Sequence, residues 1–452
     1  MKVEIISKEF VKPTSPTPPN LKTHKLSLLD QLNPPVYVPM IFFYPTNQSI
    51  GHAAADSTSQ RGQLLKQSLS ETLTRFYPFA GKIKDNLSID CNDEGVDYLE
   101  ARVHCHLADC LNQLNLRYLR KFLPQEASWK EASAGDPVAM VQVNNFACGG
   151  IVIGILVYHM IADGAALSVF LKGWAATCRK ASEAICPNFD AASIFKLMNK
   201  PFPTETLVGA LSKSFQPSKS TLRRLVFDAS TIASLKAKAT SLSVQNPTRV
   251  EVVSALLWKC ISAALQVKSG SKRPTVITHA VNFRPRSNPP FPESTMGNLI
   301  WVAGALWTGE EADSAYRVSK LREAVAKINA DFVKNLQGDE GFSMLCNIMT
   351  TMGGVMSSTA SASEMDYIWC TSWCNFGLYD IDFGWGKPVW ASCDASSSHT
   401  EQLVYSNKVI LMDTRSAGGV EAWVSLKEGD MAVLEQDKEL LAFASLDPSP
   451  LH

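Results

Sequence analysis

Two places in this chain of 452 residues pair a histidine with an aspartate four positions on: His159 with Asp163, and His52 with Asp56. A free imidazole has a pKa of about 6.5, so either histidine could serve as a general base near neutral pH with little tuning. The spacing does not separate the two copies, but their surroundings do. The stretch 150–158, Gly-Ile-Val-Ile-Gly-Ile-Leu-Val-Tyr, is apolar, rich in β-branched residues and too short to span a membrane, which reads as a buried strand ending at His159. Past Asp163 the apolar residues Ala166, Leu167, Phe170, Leu171 and Trp174 recur at helical spacing. His159 therefore stands at a strand-to-helix junction. His52 lies in the polar stretch 46–60, ahead of the helical pattern Leu64, Leu65, Leu69 and Leu73. There Asp56, Ser57 or Thr58 is expected to cap the helix and His52 to be solvated.

The remaining chemistry-bearing patterns narrow the reading by their absence. The chain has no GxxxxGK[ST], no GxGxxG after a strand, no HExxH and no GxSxG, which sets aside those nucleotide cradles, a zincin site and the nucleophile elbow of α/β-hydrolases. No metal site is expected: strand alternation places His104 and His106 on one solvated face. Eleven cysteines occur without a CxxC, the nearest pair being Cys370 and Cys374, which suggests free buried thiols in a reducing compartment. Residues 1–10 carry charges every few positions and show no secretory h-region, and the final residues match no targeting signal, so a cytoplasmic enzyme is expected. Lys plus Arg and Asp plus Glu are equal at 43 each, with no basic tract interleaved with aromatics, which argues against nucleic acid. A histidine without a protein nucleophile points to direct transfer: it deprotonates a bound hydroxyl, and the oxygen attacks an activated carbonyl.

Several elements must position these residues. Strands are expected at 3–10, 36–44, 138–143, 224–228, 275–282, 408–413 and 419–426, with helices at 59–76, 230–240, 248–265 and 427–441. A turn at Asn144-Asn145 would join 138–143 to the strand before His159. The length favours two domains, and prolines at 187, 201, 203 and 217 mark residues 183–223 as a crossover between them. Strands and helices alternate irregularly, as in an α/β or α+β protein with mixed sheets.

At Asp382-Phe383-Gly384-Trp385-Gly386 a specified run of aromatics and glycines appears. With the HxxxD segment from His159 to Asp163 it resembles the BAHD acyltransferases of plants, which carry HxxxD and a later DFGWG. Tyr77-Pro78-Phe79-Ala80-Gly81-Lys82, Asn282-Phe283-Arg284-Pro285-Arg286 and Met296-Gly297-Asn298 are similar to further motifs of that family. The stretches 15–18, 26–32, 411–415 and 419–423 resemble a branch whose members mostly move acetyl from acetyl-CoA to hydroxyls of polycyclic alkaloids or terpenoids. The resemblance runs from the first strand to Trp423, nearly the whole chain.

That resemblance implies a fold like chloramphenicol acetyltransferase: two similar-sized domains of mixed β-sheets with flanking helices, and an active-site channel between them. The first domain would be 1–182, joined in space by about 370–395, and the second 224–452. His159 would act as general base, with Thr371 and Trp373 as donors to the tetrahedral intermediate, or else as ordinary residues of a buried strand. Asp163 would pair with Arg284 and hold the loop in shape; the planar guanidinium suits a bidentate grip on a carboxylate. Gly164 would let the backbone turn into the helix, and Asp382, Gly384 and Trp385 would form a structural loop near the CoA channel. For the CoA phosphates, Thr248 and Arg249 at a helix start offer hydroxyl, guanidinium and backbone N–H groups, or else simply cap that helix. Tyr158 replaces a smaller residue of the family and would narrow the channel or pack beneath it, and the Thr-, Met-, Gly- and Ser-rich stretch 350–363 would be a flexible insertion near the acceptor mouth.

The expected activity is acetyl-CoA-dependent O-acetylation of a bulky terpenoid or polycyclic alkaloid alcohol by a monomer without a membrane span or a resident cofactor. The alternatives are another acyl-CoA, benzoyl or aliphatic, and a non-catalytic relative that binds a metabolite.

Overall fold

The computed structural model describes residues 1–46, 54–113, 115–124, 132–197, 215–217, 220–270, 273–308, 313–358, 365–394, 403–405 and 407–451. Eighteen strands occur among them: β1 Val3–Val11, β2 Thr23–Lys25, β3 Tyr37–Tyr44, β4 Lys82–Asp85, β5 Ser88–Asp90, β6 Val96–Val103, β7 Ala139–Phe146, β8 Ile151–Tyr158, β9 Phe215–Pro217, β10 Ser220–Phe227, β11 Thr275–Asn282, β12 Ile300–Trp307, β13 Asp366–Ser372, β14 Trp390–Ser392, β15 Leu403–Tyr405, β16 Lys408–Asp413, β17 Val420–Lys427 and β18 Ser445–Leu446. Two large sheets organise the chain. The first has the order β1-β6-β7-β8-β3-β14 and the second β12-β11-β13-β16-β17-β10-β18. Both are mixed: β6–β7, β11–β13 and β13–β16 are parallel, and the other neighbours in the two sheets are antiparallel. With flanking helices this is a two-domain α/β architecture.

Each sheet has its own apolar core. In the first, Phe42, Ile153, Phe170 and Trp174 are almost fully buried, each such side chain stabilising the fold by about 1.5–3 kcal/mol before entropy is counted. In the second, Trp258, Ile277 and Val424 occupy the equivalent place. All eight residues of β8 are buried, which is why its sequence is apolar throughout rather than alternating. Gly154 in that strand has a specific cause: a Cβ there would lie 1.9 Å from the carbonyl oxygen of Phe122.

The structure departs from the sequence expectations at several edges. The turn before β8 is not at Asn144-Asn145: β7 continues to Phe146, and Gly149 takes the left-handed conformation at φ 79°. Asn144 is buried within the strand, its Nδ2 donating to the carbonyls of Phe122, Gln142 and Val152. The first long helix runs Ala54–Arg75, so Asp56, Ser57 and Thr58 lie inside it rather than at its cap; His52 falls outside the described residues. The closing helix is two pieces, Glu428–Leu434 and Lys438–Leu441, with Asp437 capping the second. The stretch 350–363 begins as helix, since Gly338–Ser358 is helical, and its residues 359–363 lie outside the described residues. β12 was not expected, and β13 was read only as a buried strand around Thr371 and Trp373, of which Trp373 lies just beyond its end.

The crossover expected over 183–223 ends earlier, because β10 begins at Ser220; its residues 198–214 lie outside the described residues. The late return to the first domain is shorter than 370–395. Residues to Ser372 belong to the second sheet, whereas Phe383 sits in the first core and β14 adds an edge strand beside β3. Among the described residues one helix is long and apolar enough to cross a membrane, over Arg249–Val267, and 67% of it is buried in the second core. Of the eleven cysteines, six are buried, four half-buried, and Cys186 is exposed.

Candidate active site

β8 delivers His159 to the domain junction. Tyr158 is its last residue, fully buried against Tyr37 with ring centroids 6.2 Å apart and its hydroxyl 2.8 Å from Met160 Sδ, so it packs beneath the site. The chain then makes a single 3-10 turn, His159–Ile161, with the His159 N–H donating to the carbonyl of Val36 at 2.8 Å. The histidine is half-buried, and its Nδ1 is enclosed without a partner. Nε2 is thus the ring nitrogen left to a substrate. Burial pushes the imidazole pKa below 6.5, opposed by its own backbone, the Asn298 side chain and the nearby Asp163 and Asp30 carboxylates. At neutral pH the ring is therefore in its basic form.

Asp163 is occupied on both oxygens. As N-cap of the helix Gly164–Cys178 its Oδ1 accepts from the Ala166 N–H at 2.8 Å, and its Oδ2 accepts from Arg284 Nη1 at 2.8 Å and the Leu299 N–H at 3.0 Å. The Arg284 grip is not the expected bidentate one. A single N–H reaches Asp163, while Nε and Nη2 donate to the carbonyl of Thr295 at 3.0 and 2.8 Å and Nη2 also to that of Gly297 at 3.1 Å. Each member of the pair is 3% exposed. The guanidinium is a hub that ties the loop after residue 294 to the histidine turn. With both its oxygens engaged elsewhere, Asp163 makes no hydrogen bond to the His159 Nδ1, which has no partner.

Two residues given no role from the sequence complete this assembly. Asn298 donates from Nδ2 to the His159 carbonyl at 2.8 Å and to Asp30 Oδ1 at 2.9 Å, and its N–H also reaches Asp30 Oδ1 at 2.7 Å. Asp30 is buried and its Oδ2 accepts from the N–H and hydroxyl of Ser27. Both lie in stretches whose likeness to the family was visible, but polar residues 268 positions apart carry no signal of contact.

From the second sheet come Thr371 and Trp373. Thr371 lies half-buried on β13, and among the described residues its hydroxyl has no hydrogen-bond partner. Trp373 lies just past the strand, its N–H donating to the Leu411 carbonyl at 2.7 Å. Its indole packs on Gly164: a Cβ there would stand 3.1 Å from Trp373 Cε2 and 2.9 Å from Phe376 Cε2. Gly164 is not in the left-handed region, so the expected turn role is replaced by close packing. The absent side chain lets the second sheet approach the start of the helix that follows His159.

A family model described as the transferase family matches residues 1–441. The chain is 50% identical to epi-neemfruitin B 7-O-acetyltransferase of Melia azedarach and to limonoid 7-O-acetyltransferase of Citrus sinensis, covering 100% of both chains in each case. The crystal structure of vinorine synthase superposes with a TM-score of 0.78 at 35% identity, covering 98% of this chain and 99% of that one. The chain belongs to the BAHD acyltransferase family.

In this BAHD acyltransferase the DFGWG loop is a packed corner. Asp382 Oδ1 accepts from the N–H groups of Gly384 and Gly386 at 2.7 and 2.9 Å, and both glycines hold φ at 110°, where a side chain would be strained. The Asp382 carbonyl accepts from Arg179. Phe383 meets Trp174 edge-on at 4.9 Å and stacks with Trp385 at 5.8 Å, while Arg61 lies 5.7 Å over the Trp385 ring. Thr248 and Arg249 are likewise engaged. Thr248 forms a capping box with Glu251, and Arg249 Nη2 contacts Asp413 Oδ1 at 2.5 Å and Asn375 Oδ1 at 2.6 Å. A phosphate arriving there would have to share Arg249 with Asp413.

Proposed function

We propose that this enzyme, an acyl-CoA-dependent O-acyltransferase, transfers acetyl from acetyl-CoA to a hydroxyl of a limonoid-type terpenoid, with His159 as general base. Two relatives that each match at 50% over their full length bear the names of limonoid 7-O-acetyltransferases, which supports that acceptor class. The observation that carries the mechanism is the division of labour in one motif: Asp163 has every oxygen occupied, whereas His159 keeps Nε2 open at the domain junction.

In the reaction His159 takes the proton of the acceptor hydroxyl, and the oxygen attacks the thioester carbon. The resulting oxyanion needs a placed donor; the Thr371 hydroxyl or the Trp373 indole N–H serves, an effect worth roughly 3–4 kcal/mol when one such donor is lost. Collapse breaks the C–S bond, and the imidazolium returns its proton to the departing thiolate. Thr248 and Arg249 lie at a helix start suited to the phosphates of CoA, a co-substrate rather than a resident cofactor. A cytoplasmic monomer is the reading kept, and cysteines without disulfides among the described residues suit a reducing compartment.

The test is release of free CoA thiol from acetyl-, benzoyl- and malonyl-CoA with a panel of limonoid, other triterpenoid and indole-alkaloid alcohols. Acetyl-CoA with a limonoid alcohol is expected to turn over fastest. His159→Ala should abolish that turnover while His52→Ala leaves it nearly unchanged. Equal loss in both variants would assign the chemistry to the wrong histidine, and no turnover with any pair would remove the enzyme reading.

A further inference from the structure

The second sheet has two faces with different fates. One is covered along its whole width by helices, through Ile277, Ile368, Val409 and Val424. The other is divided. Over β16, β17 and β10 it is sealed by the first domain: Ile410, Met412 and Trp423 belong to the first core, and Trp423 stacks with Trp390 of β14 at 5.7 Å. Over β13, β11 and β12 no such first-domain core residue lies on it among the described residues; Thr278 is buried, Ala280, Trp369 and Thr371 are half-buried, and exposure rises toward the edge. On β12 the alternate residues Val302, Gly304 and Leu306 are exposed, with Val302 at 46% and Leu306 at 47%.

Register places this open half beside the reacting centre. Val302 pairs with Ala280 and Thr371 with Ile410; His279 pairs with Cys370, so one residue on, Ala280 and Thr371 share a level. A single row therefore runs Val302, Ala280, Thr371, Ile410, Trp423, from the exposed edge to the sealed junction. Thr371 sits at the boundary. The next row carries Gly304 and Trp369, through Thr278. Three strands and the span from Ile300 to Leu306 give a field of about 10 Å by 20 Å, and its outward side chains on β11, β12 and β13 include no charged residue.

Gly304 gives the field a notch. A Cβ built there would meet only Val276 Cγ1, at an ordinary 3.6 Å, so the fold does not demand glycine. Glycine inside a strand loses packing and often marks a place where a ligand approaches the backbone.

We infer that the open half of the second sheet, over β13, β11 and β12, is the wall on which the fused ring skeleton of the acceptor lies, with Gly304 giving it room and Thr371 marking the end where its hydroxyl reacts. The inference rests on the O-acetylation reading above. A flat, uncharged, apolar surface continuous with Thr371 suits a polycyclic terpenoid and rejects a charged or strongly hydrated acceptor.

Gly304→Leu and Val302→Lys test it, each measured with acetyl-CoA and the limonoid alcohol that the wild type turns over best. Both are expected to raise the KM for the alcohol about tenfold or more, with kcat and the KM for acetyl-CoA moving far less. Leu242→Lys, at a fully exposed position away from this face, is the control and should leave the alcohol KM unchanged. Thermal melting of each variant separates a blocked wall from a damaged fold, and Val302→Lys stands in should Gly304→Leu melt early. An unchanged alcohol KM in both folded variants overturns the wall but not the enzyme reading. A concentration-dependent dimer in sedimentation that both variants dissociate, without a KM effect, assigns the face to a second copy and also overturns it. If no bulky alcohol is acetylated by the wild type, both readings fall together.

Discussion

Two ion pairs are almost fully buried among the described residues, and they are built differently. Arg224 and Glu421 meet as a true fork, Nε to Oε2 at 2.8 Å and Nη2 to Oε1 at 2.9 Å, with the guanidinium 5.3 Å over Trp390. They face each other diagonally across adjacent antiparallel strands, where Arg224 pairs with Trp423 and Val226 with Glu421. Asp163 and Arg284 come instead from two chain segments that meet only at the domain junction. Their single contact leaves the other guanidinium donors for the carbonyls of Thr295 and Gly297. Sheet register can hold two side chains in parallel; a junction of loops uses one arginine as a hub. The first arrangement stiffens a sheet, and the second sets the position of the histidine turn.

The largest expected effect belongs to the residue that neither pair contains. His159→Ala should lower kcat by about 10²-fold or more while melting stays close to wild type, because its Nδ1 has no partner to lose. A melting loss as large as that of Asp163→Ala would instead make the ring part of the hub. Asp163→Ala and Glu421→Ala should each cost roughly 3–5 kcal/mol in denaturant unfolding, since each strands a buried guanidinium. Their activities should part, with Glu421→Ala retaining kcat/KM per folded molecule and Asp163→Ala losing both. An Asp163→Ala protein with wild-type melting and no turnover would contradict the structural role given to the carboxylate.

A smaller effect is expected at the seam between the domains. Gly164→Ala forces a methyl against Trp373 and Phe376 and should destabilise by about 1–3 kcal/mol, read as a lowered Tm. Unchanged melting would mean the two domains can part there without cost. The mildest test uses pH. Because burial lowers the His159 pKa, the acid limb of kcat/KM should fall below pH 6.5, and a limb at or above that value would show the ring is not enclosed. A buried histidine of the second sheet, His279, is pushed down to about 4 by burial and stays neutral in the fold above that pH. The unfolded chain takes up its proton first, so stability should drain away as pH falls from 6.5 toward 4, and His279→Gln should flatten that slope.

How much of this was legible depended on the range of the interaction. β8, β11 and β16 were readable because a buried strand must be apolar or alternate in place. β12 was missed and β13 read only around Thr371 for a related reason: partly exposed faces mix Gly, Thr, Tyr and Trp in no clean alternation. The turn at Gly149 was misplaced because Asn144 and Asn145 look like turn residues, yet Asn144 is satisfied by carbonyls from three segments. The bonds of Asn298 and Asp30 were invisible, since each polar group finds its partner only after the two domains close.

The sequence by itself determined the histidine at the end of a buried strand, the absence of a GxSxG elbow, and the motifs that mark the family. These are local statements about residue types and spacing. Only the tertiary structure decided that both oxygens of Asp163 are engaged, that Arg284 is a hub rather than a fork, that Gly164 is a contact rather than a turn, and that one face of β12 lies exposed at the edge of the sheet that carries Thr371. The reason is physical. Hydrogen bonds and close packing across a domain junction depend on where distant segments come to rest, and no local periodicity encodes that position.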